Sequence, residues 1–140
     1  MMRREQAPKR RDLVGAVEAW AQGAPDVPAL YLGRQVITFK QLDARANRVA
    51  NALKGLGIQK NDRVAIMLPN IAEFVYTFIG TLKIGAVAVP FNPLYKGKEM
   101  LHILGDSGAT ALFALADVGP MINEILPQLP QLGHVVLIGA

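Results

Sequence analysis

Apolar residues recur along this chain in two periods, and the period changes at joints marked by proline, glycine or a capping side chain. The stretch from Arg63 to Pro93, RVAIMLPNIAEFVYTFIGTLKIGAVAVPFNP, shows this most clearly. Residues 64–68 form a short unbroken apolar run, which predicts a strand buried on both faces. Pro69 ends it, and Asn70 with Glu73 three residues on predicts a capped helix start. Ile71, Phe74, Val75, Phe78, Ile79 and Leu82 then fall on one face of a 3.6-residue helix. Lys83 suits the negative end of the helix dipole, and Gly85 supplies the stop. Residues 86–89 predict a second apolar strand, closed by Pro90. Two buried strands joined by a helix are expected to be parallel.

The flanking segments carry the same punctuation. Residues 12–21 predict a short helix capped by Asp12, with Leu13, Val17, Trp20 and Ala21 sharing a face and Trp20 as a packing anchor. Residues 29–32 and 35–38 flank Gly33-Arg34 and predict a small β-hairpin. Thr38 and Gln41 make a capping box for the longest helix, with a stripe of Leu42, Ala46, Val49, Ala50, Leu53 and Leu56. Gly55 and Gly57 end it. After a turn-prone loop at 92–97, residues 98–106 predict a helix and 110–114 a strand. Asp117 is expected to cap a helix over 118–126, with Met121, Ile122, Ile125 and Leu126 inward, and residues 134–138 a last strand. The expected fold class is α/β: a mostly parallel sheet with helices on both faces and a small β-hairpin near residues 29–38.

Charge changes this picture only at one end. The chain has 140 residues and a formal net charge of +4. All of the excess lies in residues 1–11, where Arg3, Arg4, Lys9, Arg10 and Arg11 face only Glu5; from residue 12 onward the charges balance. This start reads as a basic, disordered, solvated tail followed by a folded unit over 12–140. A nucleic-acid partner would call for a basic folded face with aromatic or polar partners, and the sequence offers none. Arg10-Arg11 ahead of an apolar run echoes a twin-arginine signal, but Glu18 interrupts that run. Residues 74–91 are apolar enough to suggest a membrane span, yet Lys83, Gly85 and Pro90 divide them, so none is expected.

Candidate chemistry is sparse. There is no cysteine, which removes disulfides, thiolate nucleophiles and cysteine metal sites. Ser107 is the only serine and sits in an ordinary Asp-Ser-Gly turn. His102 lies on the helix just before it and reads as a surface or packing residue. Gly55-Leu56-Gly57 follows a helix and lacks the third glycine of a dinucleotide loop, and Gly97-Lys98 lacks the upstream glycine of a P-loop. No catalytic residue and no metal ligand is expected.

The ordered motifs are more telling. D-R-V-A-I-M-L-P-N at 62–70, E-F at 73–74, L-K-I-G-A at 82–86 and V-P-F-N-P-L-Y at 89–95 resemble the amino-terminal region of the AMP-forming acyl-CoA synthetases. I-T-F-K-Q-L at 37–42 and E-M-L-H-I-L-G-D-S-G-A at 99–109 extend the resemblance over roughly residues 25–115. Asn92-Pro93-Leu94-Tyr95 is most similar to the long-chain fatty acyl branch. The resemblance implies an incomplete amino-terminal subdomain of an adenylate-forming ligase, over residues 12–140. It implies a parent reaction that joins a carboxylic acid, here a fatty acid, to CoA with ATP and Mg2+. Family members bind ATP through a loop of the form T-S-G-T-T-G-x-P-K-G, which has no match here. The 140-residue chain is therefore expected to be a scaffold segment, inactive alone, that binds none of these tightly. Some members use a basic residue in the loop after the N-P motif at the nucleotide end of CoA. That implies Tyr95, Lys96 and Lys98 as cofactor-binding residues. The resemblance further implies a cytoplasmic protein, or one held peripherally on a membrane. Two alternatives stay open: part of an amino-acid adenylation domain, and a non-catalytic truncated or interaction fragment that self-associates through an exposed sheet edge.

Overall fold

Continuous burial along two neighbouring strands sets the architecture. In the computed structural model, which describes residues 12–139, β3 (Arg63–Met67) and β5 (Ala111–Leu115) lie side by side at the centre of a four-stranded parallel sheet. β4 (Val87–Pro90) flanks β3 and β6 (His134–Ile138) flanks β5, giving the order β4-β3-β5-β6. The basic tail over 1–11, read above as a solvated arm, lies outside the described residues.

Val64 and Ile66 point to one face of the sheet, with Ala111 and Phe113 beside them; Leu53, Ile58, Phe74 and Phe78 cover this face. They come from the ends and flanks of α2 (Phe39–Gly55) and α3 (Ala72–Lys83). Ala65, Met67, Leu112 and Ala114 point the other way. There they meet Met100 and Leu104 of α4 (Gly97–Ser107) and Ile122 and Ile125 of α5 (Gly119–Ile125). Both faces are thus covered, as strands that are apolar on both sides require. A third apolar cluster joins Val17 of α1 (Leu13–Gly23) and Ile37 to Leu42 and Ala46 of α2 and Ile79 of α3. Ile37 belongs to the hairpin of β1 (Pro28–Leu32) and β2 (Gln35–Thr38), which are antiparallel and joined at Gly33-Arg34.

The helix ends show where local chemistry decided the boundary. Asp12 Oδ1 accepts from the Gly15 N–H at 2.8 Å. Thr38 and Gln41 form the expected reciprocal box, at 3.2 and 2.9 Å. Two expected caps are corrected. α3 begins after Ile71 with no side-chain cap, because the Ile71 N–H bonds to the Pro69 carbonyl and draws the chain past Asn70 before it turns. Asp117 lies inside a single 3-10 turn at Ala116–Val118, and α5 starts only after Val118. The face of α1 is also corrected: Val14 and Val17 are buried, whereas Leu13 and Trp20 are half exposed. On α2, Leu56 at the end of the stripe is exposed.

The amino ends of the strands are tied by one side chain that the sequence did not single out. Arg63 donates from Nε to the Ser107 carbonyl at 2.9 Å and from Nη2 to the Gly108 carbonyl at 3.2 Å, with Nη1 on Asn61 at 3.3 Å. It thereby caps the carboxyl end of α4. Gly108 has φ +65, and a Cβ there would meet Arg63 Nη2 at 2.6 Å. The left-handed backbone favours glycine here, and a side chain would push the Arg63 guanidinium off its carbonyls.

Candidate functional site

The loop that leaves the carboxyl end of β4 carries the residues implicated above. Asn92 shapes it: its Oδ1 accepts from the Leu94 N–H at 2.9 Å, and its carbonyl accepts from the Tyr95 N–H at 3.1 Å. This Asx-type turn follows from Asn-Pro, since Pro93 holds Asn92 extended and the amide oxygen is free to reach forward. Tyr95 is half buried, and its ring stacks on Phe91 with centroids 6.2 Å apart. Lys96 is the residue before the first turn of α4. Its N–H donates to Glu99 Oε2 at 3.1 Å, while its side chain stays in solvent.

Lys98 lies one turn ahead of His102 on α4. Together with Tyr95, Glu99 and Ile103 they line an open depression of about 380 Å3. The structure thus brings Tyr95 and Lys98 onto one surface; Lys96, exposed between them in sequence, is not one of the lining residues. His102, read as a surface or packing residue, is exposed and joins this wall; its place four residues after Lys98 was the signal available. The depression offers an aromatic face, an ammonium, an imidazole and one carboxylate. Such a set can hold an anionic, ring-bearing ligand by charge and stacking, but it contains no nucleophile positioned by a base.

Other sequence candidates fall apart in space. Gly57 has φ +83 and ends α2, so Gly55-Leu56-Gly57 is a helix stop. Among the described residues, the Ser107 hydroxyl reaches only the Leu104 carbonyl, at 3.5 Å. Among the described residues, no group of three His, Asp or Glu side chains could hold a metal ion, and no helix is long and apolar enough to cross a membrane.

Residues 17–140 match the family model for the AMP-binding enzymes. The chain belongs to that family. Among curated AMP-binding relatives, it is 37% identical over 113 residues to a long-chain-fatty-acid–CoA ligase of Yersinia pestis, covering 80% of this chain and 20% of that protein. It is 43% identical over 99 residues to the long-chain-fatty-acid–CoA ligase FadD13 of Mycobacterium tuberculosis, covering 71% of this chain and 20% of that one. Among solved structures, an anthranilate CoA ligase, AuaEII, in complex with anthranoyl-AMP superposes with a TM-score of 0.87 at 36% identity, covering 99% of this chain and 27% of that chain. The chain therefore spans about a fifth of the length of the curated AMP-binding ligases it matches. The expected fold, a parallel sheet between helices with an antiparallel hairpin, is that of the amino-terminal part of these ligases.

Proposed function

We propose that residues 12–140 are the amino-terminal scaffold of an AMP-forming acid–CoA ligase. In that reaction a carboxylate attacks the α-phosphorus of ATP, pyrophosphate leaves, and the CoA thiol then displaces AMP from the acyl-adenylate. The family match over 17–140 carries this reading. A long-chain fatty acid is the substrate we favour, supported by the names of the Yersinia and Mycobacterium relatives. ATP and CoA are then co-substrates and Mg2+ the metal; no residue described here is assigned to Mg2+. A graft tests the reading. Residues 12–140 replacing the matching segment of a long-chain-fatty-acid–CoA ligase should give a folded enzyme that makes fatty acyl-CoA. A folded graft that activates no acid would overturn it. The 140-residue chain alone should give no ATP–pyrophosphate exchange, and measurable exchange would end the scaffold assignment.

Within this reading we place the nucleotide end of CoA against Tyr95, Lys96 and Lys98. The support is their common position on the loop and first turn after β4, with two ammonium groups for phosphate and a phenol ring for stacking. In the graft, Lys96→Ala with Lys98→Ala should raise KM for CoA by at least about tenfold, since each charge-assisted contact is worth about that much, and leave KM for ATP unchanged. An unchanged KM for CoA would remove the assignment.

A further inference from the structure

Two proton donors in the depression beside α4 are left unspent by the fold. Lys98 and His102 both line it, four residues apart on one helix, and both are exposed. Among the described residues, neither side chain makes a hydrogen bond or an ion pair. Lys83 and Arg63 are the contrast, since carboxylates and carbonyls inside the fold take up their donors. Side chains at i and i+4 rise from the same strip of a helix, with Cβ atoms about 5–6 Å apart. An ammonium and an imidazole N–H at that spacing can reach two oxygens of one phosphate. The imidazole donates an N–H whether it is neutral or protonated. Lys98 also stands in the first turn of α4, where the helix dipole favours an anion.

The other lining groups limit what that phosphate is attached to. The Tyr95 ring is fixed by its stack on Phe91, and Ile103 adds an apolar contact, so the wall suits a flat ring. Glu99 Oε2 accepts from the Lys96 N–H, which holds the carboxylate at the start of the helix. Its other oxygen can accept from a hydroxyl, while its charge disfavours a second anion on the same wall. The set fits a nucleoside that carries one phosphate monoester next to a free hydroxyl, and CoA has that group on its ribose. We infer that Lys98 and His102 grip the ribose phosphate monoester of CoA as a pair, and that His102 is the residue that tells CoA from dephospho-CoA. The identity of the ligand rests on the ligase reading; the pairing of the two donors rests on the geometry of α4.

The chain has two histidines, and His134 lies apart on β6, so the ring protons of His102 report on this site alone. Titrated into the 140-residue chain, CoA should move the His102 ring resonances and leave those of His134 in place. Dephospho-CoA should bind at least about tenfold more weakly, the scale of one charge-assisted hydrogen bond. His102→Ala, at an exposed position outside the core, should remove most of that preference, and so should Lys98→Ala. Lys54→Ala deletes the same charge from α2 and should leave the preference intact. Equal binding of the two ligands, no binding of CoA, unmoved His102 resonances at saturation, or a preference that survives His102→Ala would each overturn the inference. The graft keeps the two readings apart. A graft that turns over CoA and dephospho-CoA with equal KM would leave the ligase reading standing and remove this one. An inactive folded graft, with the preference for CoA intact in the chain, would do the reverse.

Discussion

Gly80 of α3 passes so close to Val49 of α2 that a Cβ on the glycine would lie 2.7 Å from the valine Cβ. The same atom would meet the Ala46 carbonyl at 2.8 Å, so the obstacle includes backbone. Gly80→Ala would gain up to about 1 kcal/mol of helix propensity in isolation. The crossing outweighs this, since the two helices must separate over the apolar cluster they share. The variant should be less stable by about 1–3 kcal/mol, read as a lowered urea midpoint with unchanged slope.

Lys83 stitches three helices. Its ammonium is 2.7 Å from Asp43 Oδ1 and 2.9 Å from Glu18 Oε1, with only 7% of the side chain exposed. Burial alone pulls the ammonium toward a lower pKa, but the hydrogen bonds it donates to Asp43 and Glu18 outweigh it, and the net direction is upward from 10.5. A folded-state pKa above the unfolded one stabilises fully below the unfolded value and fades as pH rises through the folded value. Burial likewise raises the Tyr76 phenol above 10.0, partly offset by Arg45, which adds to the loss in the same alkaline range. Stability should therefore fall above about pH 10.5. Lys83→Met should cost about 1–3 kcal/mol at neutral pH and flatten part of that alkaline fall, leaving the Tyr76 component. A pH series of denaturation midpoints on both proteins checks it.

Two buried positions should respond in opposite ways. Leu53 is wholly buried against the sheet, and Leu53→Ala should cost about 2–5 kcal/mol. Thr110 Oγ1 is buried with no hydrogen-bond partner, unlike Thr81 Oγ1, which donates to the Thr77 carbonyl at 2.7 Å. Thr110→Val removes an unsatisfied hydroxyl at constant shape and should be neutral or stabilising by up to about 1–2 kcal/mol. Thermal melts of the pair settle both; a destabilised Thr110→Val would mean the hydroxyl has a partner in solution.

β6 forms one edge of the sheet, with Leu137 47% exposed on it, while the opposite edge at β4 ends in Pro90, which has no N–H to offer. We expect the 140-residue chain to self-associate through β6. Light scattering should show mass rising with concentration, and Leu137→Lys should suppress the rise. A monomer at every concentration would refute it.

Much of the fold was legible because its signals are local. The hairpin, the Thr38–Gln41 box and the period change from 64–68 to 71–82 each lie within a short continuous stretch of chain. The failures share a cause. Asn70 and Asp117 have cap chemistry, but a carbonyl at Pro69 and a 3-10 turn at Ala116–Val118 set the real starts. α1 carries apolar residues on two faces, and periodicity cannot choose which one meets the core. The Lys83 clamp and the Gly80 crossing join residues far apart in sequence, so nothing local announces them. For the site, Tyr95, Lys96 and Lys98 were reached through a resemblance. Exposed lysines carry no spacing of their own, and the depression with His102 exists only once α4 is folded.

The four strands of the sheet run one way, so the two rims of the molecule carry different sets of residues. The Arg63 fan, Gly108 and Thr110 sit where the strands begin; the loop bearing Tyr95, Lys96 and Lys98 leaves where a strand ends. Sequence change is thereby sorted by location. A collection of random variants, scored for soluble yield and for turnover per folded molecule in the grafted ligase, should split accordingly: lesions at the first rim drain yield and spare turnover, and lesions at the second do the reverse.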